Sequence, residues 1–148
     1  MKTPPKGPLS KEAWLDRIGE RWSETAMGAL KIKITDVRED QIEMTMPISD
    51  AVRQPFGALH GGASMLLAET AASTHANFLI DMDVVVPVGI EINGSHLRPA
   101  SEGTVMAVAR VVRVSKSFIT HQVEMSHLES GKMLSVARVT NYLKPLKD

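Results

Sequence analysis

The sequence predicts an α+β fold in which an antiparallel sheet wraps around one long central helix, with a short helix at the N-terminus. Three observations carry this reading. Residues 61–80 are rich in Ala, Leu and Met, contain no proline, and run too long for a strand. Two segments before them and four after them have strand character. The strands that follow one another are joined by short turns, which makes neighbours antiparallel. The central helix is apolar on nearly every side, as a helix enclosed by a sheet must be.

Residues 1–9 carry two adjacent prolines, a glycine and a third proline, and read as a mobile leader. Ser10 then offers an N-cap, with Glu12 favourable near the positive end of the helix. Trp14, Ile18 and Trp22 recur every four residues as an apolar stripe, which reads as packing against the main body more readily than as a ligand platform. Gly28 is the first turn. The chain thus divides into a leader with a short helix over 1–27 and one domain over 28–148. From there the period drops to two. Leu30, Ile32 and Ile34 alternate with Lys31, Lys33 and Thr35, and Ile42, Met44, Met46 and Ile48 alternate with Glu43, Thr45 and Pro47. A short charged turn over 37–41 joins these strands, and Pro47 belongs near a strand end because it cannot donate to the ladder. A loop over 49–59, interrupted by Pro55 and Gly57, leads into the central helix. Strands follow at 85–97, 103–114, 118–127 and 133–143, with turns at 99–103, 115–117 and 129–132.

At 148 residues the chain suits a single domain, and 43% hydrophobic with 23% charged residues is the balance of a globular protein. Seventeen basic and seventeen acidic residues cancel, so no nucleic-acid partner is expected, although a local basic patch for one anionic ligand remains open. Without cysteine there is no disulfide, thiolate metal site or cysteine nucleophile. The longest nearly uncharged run, 57–80, contains Glu69 and reads poorly as a membrane span. The first residues lack the apolar stretch of a secretory signal, so no membrane partner and a cytoplasmic location are expected.

Within that run Glu69 is the one residue charged at pH 7, with His75 taken as neutral. Its neighbours on the same helical face are Met65, Leu66, Ala72 and Ser73. A carboxylate there lies at a solvent-lined seam or in the interior, where lack of a partner disfavours keeping it for stability. Plain exposure on a surface helix explains it equally well; the chemical reading is a nucleophile or general base. Ser73, one turn later, can hold a water or orient the carboxylate, yet alone it is ordinary filler. His60-Gly61-Gly62 leads into the helix and offers N–H groups at the positive end of its dipole. One such donor to an oxyanion is worth ~3 kcal/mol in the barrier, although two glycines also make an ordinary turn. The α/β-hydrolases share His-Gly-Gly but need a Gly-x-Ser-x-Gly elbow that is absent here, as are phosphate-binding glycine loops. His121 and His127 stand six apart with no third ligand and read as strand-surface residues, so no metal is expected. His96, on the face of Val88, Ile90 and Ile92, reads as a satisfied core histidine, and Gln54 as a loop residue.

Taken together, Gln54-Pro-Phe-Gly57-x-Leu59-His60-Gly-Gly-Ala63, Glu69 and Ser73 resemble the hotdog-fold acyl-CoA thioesterases, in the PaaI-like and 4-hydroxybenzoyl-CoA thioesterase branch. Val88-Gly-Ile-Glu-Ile-Asn93-x-x-His96-x-Arg98 fits the same branch, and the resemblance spans about 28–143. It implies a hotdog fold and hydrolysis of an aryl or medium-chain acyl-CoA, or an acyl-carrier thioester, to free acid and thiol. It also implies no cofactor, CoA being part of the substrate. By this resemblance Glu69 is the nucleophile or activates water, and the Gly61 N–H polarises the thioester carbonyl. Gln54 and His60 position the thioester or the water, and Ser73 assists the attack. His96 and Arg98 lie near the substrate at the CoA arm, where Lys116 is a further candidate, although relatives often carry a more basic turn at this point. Met65 is a candidate for the acyl pocket, with Leu66, Phe78 and Met82.

Gly61 and Glu69 are eight residues apart, roughly 12 Å along a helix axis. Nucleophile and oxyanion donor should both lie ~3 Å from the reacting group, and a glutamate leaning toward the helix start does not close that gap. Two antiparallel helices solve the problem, each lending its N-terminus to the other's Glu69. The expectation is an obligate homodimer with two composite sites, as the resemblance also implies, and a dimer of dimers beyond it. Two other readings remain. A hotdog dehydratase or hydratase needs a histidine and a proline-rich helix start not found here. A non-catalytic acyl-CoA-binding or regulatory hotdog protein has no need of Glu69.

Overall fold

The computed structural model describes Gly7 and residues 9–146, so most of the expected leader lies outside the described residues. Ser10 caps α1 (Lys11–Gly19), its Oγ accepting from the Ala13 N–H at 3.1 Å, and Trp14 is buried beneath the helix. The expected stripe does not continue as one helix. α1 ends at Gly19, and Trp22 sits in a separate 3-10 turn (Trp22–Glu24), where its Nε1 donates to the Ile32 carbonyl at 2.8 Å. A one-turn helix, α2 (Ala26–Ala29), follows.

The first strand therefore starts later than the alternation predicts. The Leu30 and Ile32 N–H groups bond back to the Ala26 and Met27 carbonyls, closing α2, and Lys31 takes φ 56. Their backbone is committed to the helix end, and pairing begins only with β1 (Lys33–Val37), which runs antiparallel to β2 (Gln41–Pro47). Pro47 is the last residue of β2, as its missing donor requires.

The central helix α3 spans Gly61–Leu79, and β3 (Val85–His96), β4 (Thr104–Val114), β5 (Phe118–His127) and β6 (Met133–Pro145) follow. All pairings are antiparallel, in the order β1-β2-β4-β5-β6-β3. α3 carries the chain from β2 across the sheet, so β3 lands on the far edge, paired on one side only. This is the predicted architecture.

The core lies between α3 and the inner sheet face. Leu67, Ala68, Ala71 and Ala72 are buried with Met44, Met46, Ala107, Ala109, Val123, Met125 and Val139. Alanine on both layers brings helix and sheet close, and methionine fills the remaining gaps. Each large apolar side chain so buried contributes about 1.5–3 kcal/mol. No helix among the described residues is long and apolar enough to cross a membrane.

Candidate active site

The loop before α3 folds back on itself. The Gln54 N–H donates to the Ala58 carbonyl at 2.8 Å, and the Gly57 N–H to the Gln54 carbonyl at 2.9 Å, with Gly57 at φ 90. The Gln54 side chain belongs to the same turn: its Oε1 accepts from the Phe56 N–H. His60 is the N-cap of α3, its Nδ1 accepting from the Gly62 N–H at 2.8 Å. The Ala63 and Ser64 N–H groups both reach the His60 carbonyl, at 3.0 and 3.2 Å. The Gly61 N–H is left without a protein partner among the described residues.

His96 lies over this helix start. Its Nδ1 bonds the Ser135 Oγ at 3.0 Å, and a Cβ on residue 61 would stand 2.6 Å from its Nε2, so the close approach requires glycine. The ring is exposed and not the satisfied core histidine that its strand position predicts, because β3 is an edge. Gln54, Gly61, Ser64, His96 and Arg98 line one cleft of about 390 Å³. Arg98 is itself anchored, its Nη1 donating to the Met133 carbonyl at 3.0 Å.

Glu69 opens into a second cleft, of about 530 Å³, which shares no lining residue with the first. Met65, Leu66, Ser73 and Gly62 stand beside it there. The carboxylate is half-buried and has no hydrogen-bond or ion-pair partner among the described residues. Its Oε1 fills the space beside β3 where residue 89 has no side chain: a Cβ on Gly89 would meet it at 2.4 Å. The strand register shifts between Gly89 and Glu91 at the same place. One turn beyond Glu69, the Ser73 Oγ donates to Oδ1 of the fully buried Asn141 at 2.9 Å. Sequence reasoning missed Asn141 and Gly89. The signals were there: a polar residue at an inward, apolar position between Val139 and Leu143, and a glycine inside a strand.

The remaining candidates are dispersed. Lys116 stands in a third cleft, of about 430 Å³, with Arg113, Ser115, Ser117, Phe118, Thr120 and Thr140. Met65 and Leu66 line the Glu69 cleft, but Phe78 and Met82 do not; they border a crevice at α1, with the Phe78 ring edge-on to Trp14 at 5.0 Å between centroids. His121, expected on a strand surface, is fully buried. Its Nε2 lies 2.8 Å from His75 Nδ1, and His75 Nε2 lies 2.7 Å from the Arg38 carbonyl. Only a donor serves a carbonyl, so His75 carries its proton on Nε2 and accepts through Nδ1. His121 then donates from Nε2, and its Nδ1 is a buried atom without a partner. Burial holds both rings below the ordinary histidine pKa, and with its neighbour His75 it pushes His121 down to about 3.

Comparison with known proteins bears on the family and the fold. The sequence profile of the thioesterase superfamily matches residues 56–134. The chain is 37% identical over 126 residues to the 1,4-dihydroxy-2-naphthoyl-CoA hydrolase of Escherichia coli, across 85% of this chain and 91% of that protein. Its fold matches the crystal structure of a Haemophilus influenzae thioesterase with a TM-score of 0.85 and 34% identity, over 97% of this chain and 96% of the other. A glutamine-to-alanine mutant of a Pseudomonas aeruginosa thioesterase matches with a TM-score of 0.84 and 30% identity, over 89% and 94%. Profile, sequence and fold agree over most of the chain, which belongs to the thioesterase superfamily and is a thioester hydrolase of the hotdog fold.

Proposed function

We propose that this enzyme hydrolyses an aryl or medium-chain acyl-CoA, as a homodimer whose two sites each join Glu69 of one chain to Gly61 and Gln54 of the other. The observation that carries this is the separation of the two clefts on one helix: a carboxylate without a partner in one, a free helix-start N–H in the other. Each half lacks what the other holds. The open edge of β3 supports the assembly, with Val86, Val88 and Ile90 exposed on a strand that is paired only with β6. The CoA class rests on the similarity to a CoA thioester hydrolase. Arg98 and the hydroxyl-rich cleft of Lys116 and Arg113 suit the phosphates of the CoA arm.

In this reading the thioester oxygen faces the Gly61 N–H, a donor worth ~3 kcal/mol to the developing oxyanion. Glu69 takes a proton from water as the water oxygen bonds to the carbonyl carbon. The tetrahedral oxyanion then collapses, the C–S bond breaks, and the proton passes from Glu69 to the leaving thiolate. The products are the free acid and CoA thiol. Release of thiol from benzoyl-CoA, 1,4-dihydroxy-2-naphthoyl-CoA and a medium-chain acyl-CoA tests it. Glu69→Gln is expected to lower kcat by about 10²–10⁴-fold with the fold intact, and turnover close to the parent's would remove Glu69 from the chemistry.

A further inference from the structure

We infer that Asn141 is a positioning residue of the hydrolytic site, its buried amide oxygen holding the Ser73 hydroxyl so that the hydroxyl oxygen meets the Glu69 cleft as an acceptor. The inference rests on the reading of Glu69 as the group that works on water.

Asn141 lies in β6, in register with Gly89 on one side and Ile119 on the other. It is fully buried, and its neighbours on the inner face, Val139 and Leu143, are buried as well. The backbone is committed to the ladders, so the amide must find side-chain partners. It finds one: Oδ1 accepts from Ser73 Oγ at 2.9 Å, while Nδ2 is buried without a protein partner. A buried donor left unpaired is unfavourable, and leucine, of similar shape, would avoid the loss. Stability therefore does not account for an amide here. Its single contact does.

That contact is part of a row. Glu69 and Ser73 are one turn apart on the same face of α3 and line the same cleft. The empty Cβ position of Gly89 has Glu69 Oε1 at 2.4 Å and Asn141 Oδ1 at 3.9 Å. A serine hydroxyl has one proton and two lone pairs. With the proton given to Asn141, Ser73 cannot donate to Glu69, and the carboxylate oxygens stay open to water. A water in the cleft can then give one hydrogen bond to Glu69 and the other to Ser73 Oγ, leaving a lone pair for the carbonyl carbon. A hydroxyl free to rotate would instead bond the carboxylate and compete with that water.

Steady-state hydrolysis of benzoyl-CoA by the full chain tests this, with Asn141→Leu alone and combined with Ser73→Ala. Asn141→Leu is expected to lower kcat about 10- to 100-fold, with KM within about twofold of the parent and a thermal midpoint no lower. In the Ser73→Ala background the same change is expected to cost no further kcat, because the amide acts only through the hydroxyl. Parent-like kcat in Asn141→Leu, or a full additional loss in the Ser73→Ala background, overturns the inference. Should Asn141→Leu not fold, Asn141→Ala repeats the cycle; if neither folds, the amide is structural and the inference fails. Glu69→Gln separates the two levels: with it inactive and Asn141→Leu normal, only the role of Asn141 falls, whereas a parent without turnover removes both.

Discussion

Glu69 reaches β3 because of what residue 89 lacks. A methyl group on Gly89 meets Oε1 at 2.4 Å, and the atom that must yield is the end of a flexible side chain, so the fold can absorb the change while the carboxylate cannot stay where it is. Gly89→Ala is expected to leave the thermal midpoint within a few degrees and lower kcat about 10- to 100-fold, the scale of an ångström-sized displacement of the proposed base. Equal falls in stability and turnover would assign Gly89 to packing. At this scale the sequence was half legible. Glu69 is conspicuous as the charge in an apolar run, and Gly61 as the glycine before a helix. Gly89 and Asn141 are defined by partners 20 and 68 positions away along the chain, a relation that no local period reports. His96 was misread for a related reason, since an inward strand position is exposed when its strand is the last in the sheet.

Among the elements, α3 and β5 are joined at their buried faces by the His75–His121 pair, whose acid response can be derived. Both histidines have lowered pKa values in the fold, His121 to about 3, against an ordinary value of 6.5. Between those values the unfolded chain binds protons that the folded chain refuses, so stability falls as pH drops below 6.5. For His121 the slope approaches about 1.4 kcal/mol per pH unit and persists to about pH 3, and His75 adds to it in the same direction. Asp40, whose charge favours protonated His75, softens the effect at that ring. Thermal melts from pH 7 to pH 4 are expected to show a shallower acid loss in His121→Leu than in the parent; identical slopes would free the pair from acid sensitivity. The elements themselves were largely readable, because the change of period from about four to two, and the short turns, survive into the fold. The exception is the start of β1, where the Leu30 and Ile32 N–H groups serve α2 and side-chain alternation outruns backbone pairing.

For the molecule as a whole, the proposed division of the site between two chains makes a distinct prediction. Glu69→Gln and Gln54→Ala chains, each inactive alone, are expected to regain activity when mixed and allowed to exchange. Half of the dimers then pair unlike chains, and each holds one intact site of its two, giving about a quarter of the parent activity. No gain over the separate variants would place both groups in the same chain's site. A composition with no net charge and no cysteine could not announce this; it follows from the length of helix between residues 61 and 69. The open side of β3 has another consequence. An edge strand of twelve residues, open on one side and with valine and isoleucine exposed, is a template for any extended chain that meets it. Pairing with a copy of itself would close that template, so in the proposed dimer one contact would both complete the active site and guard the chain against aggregation.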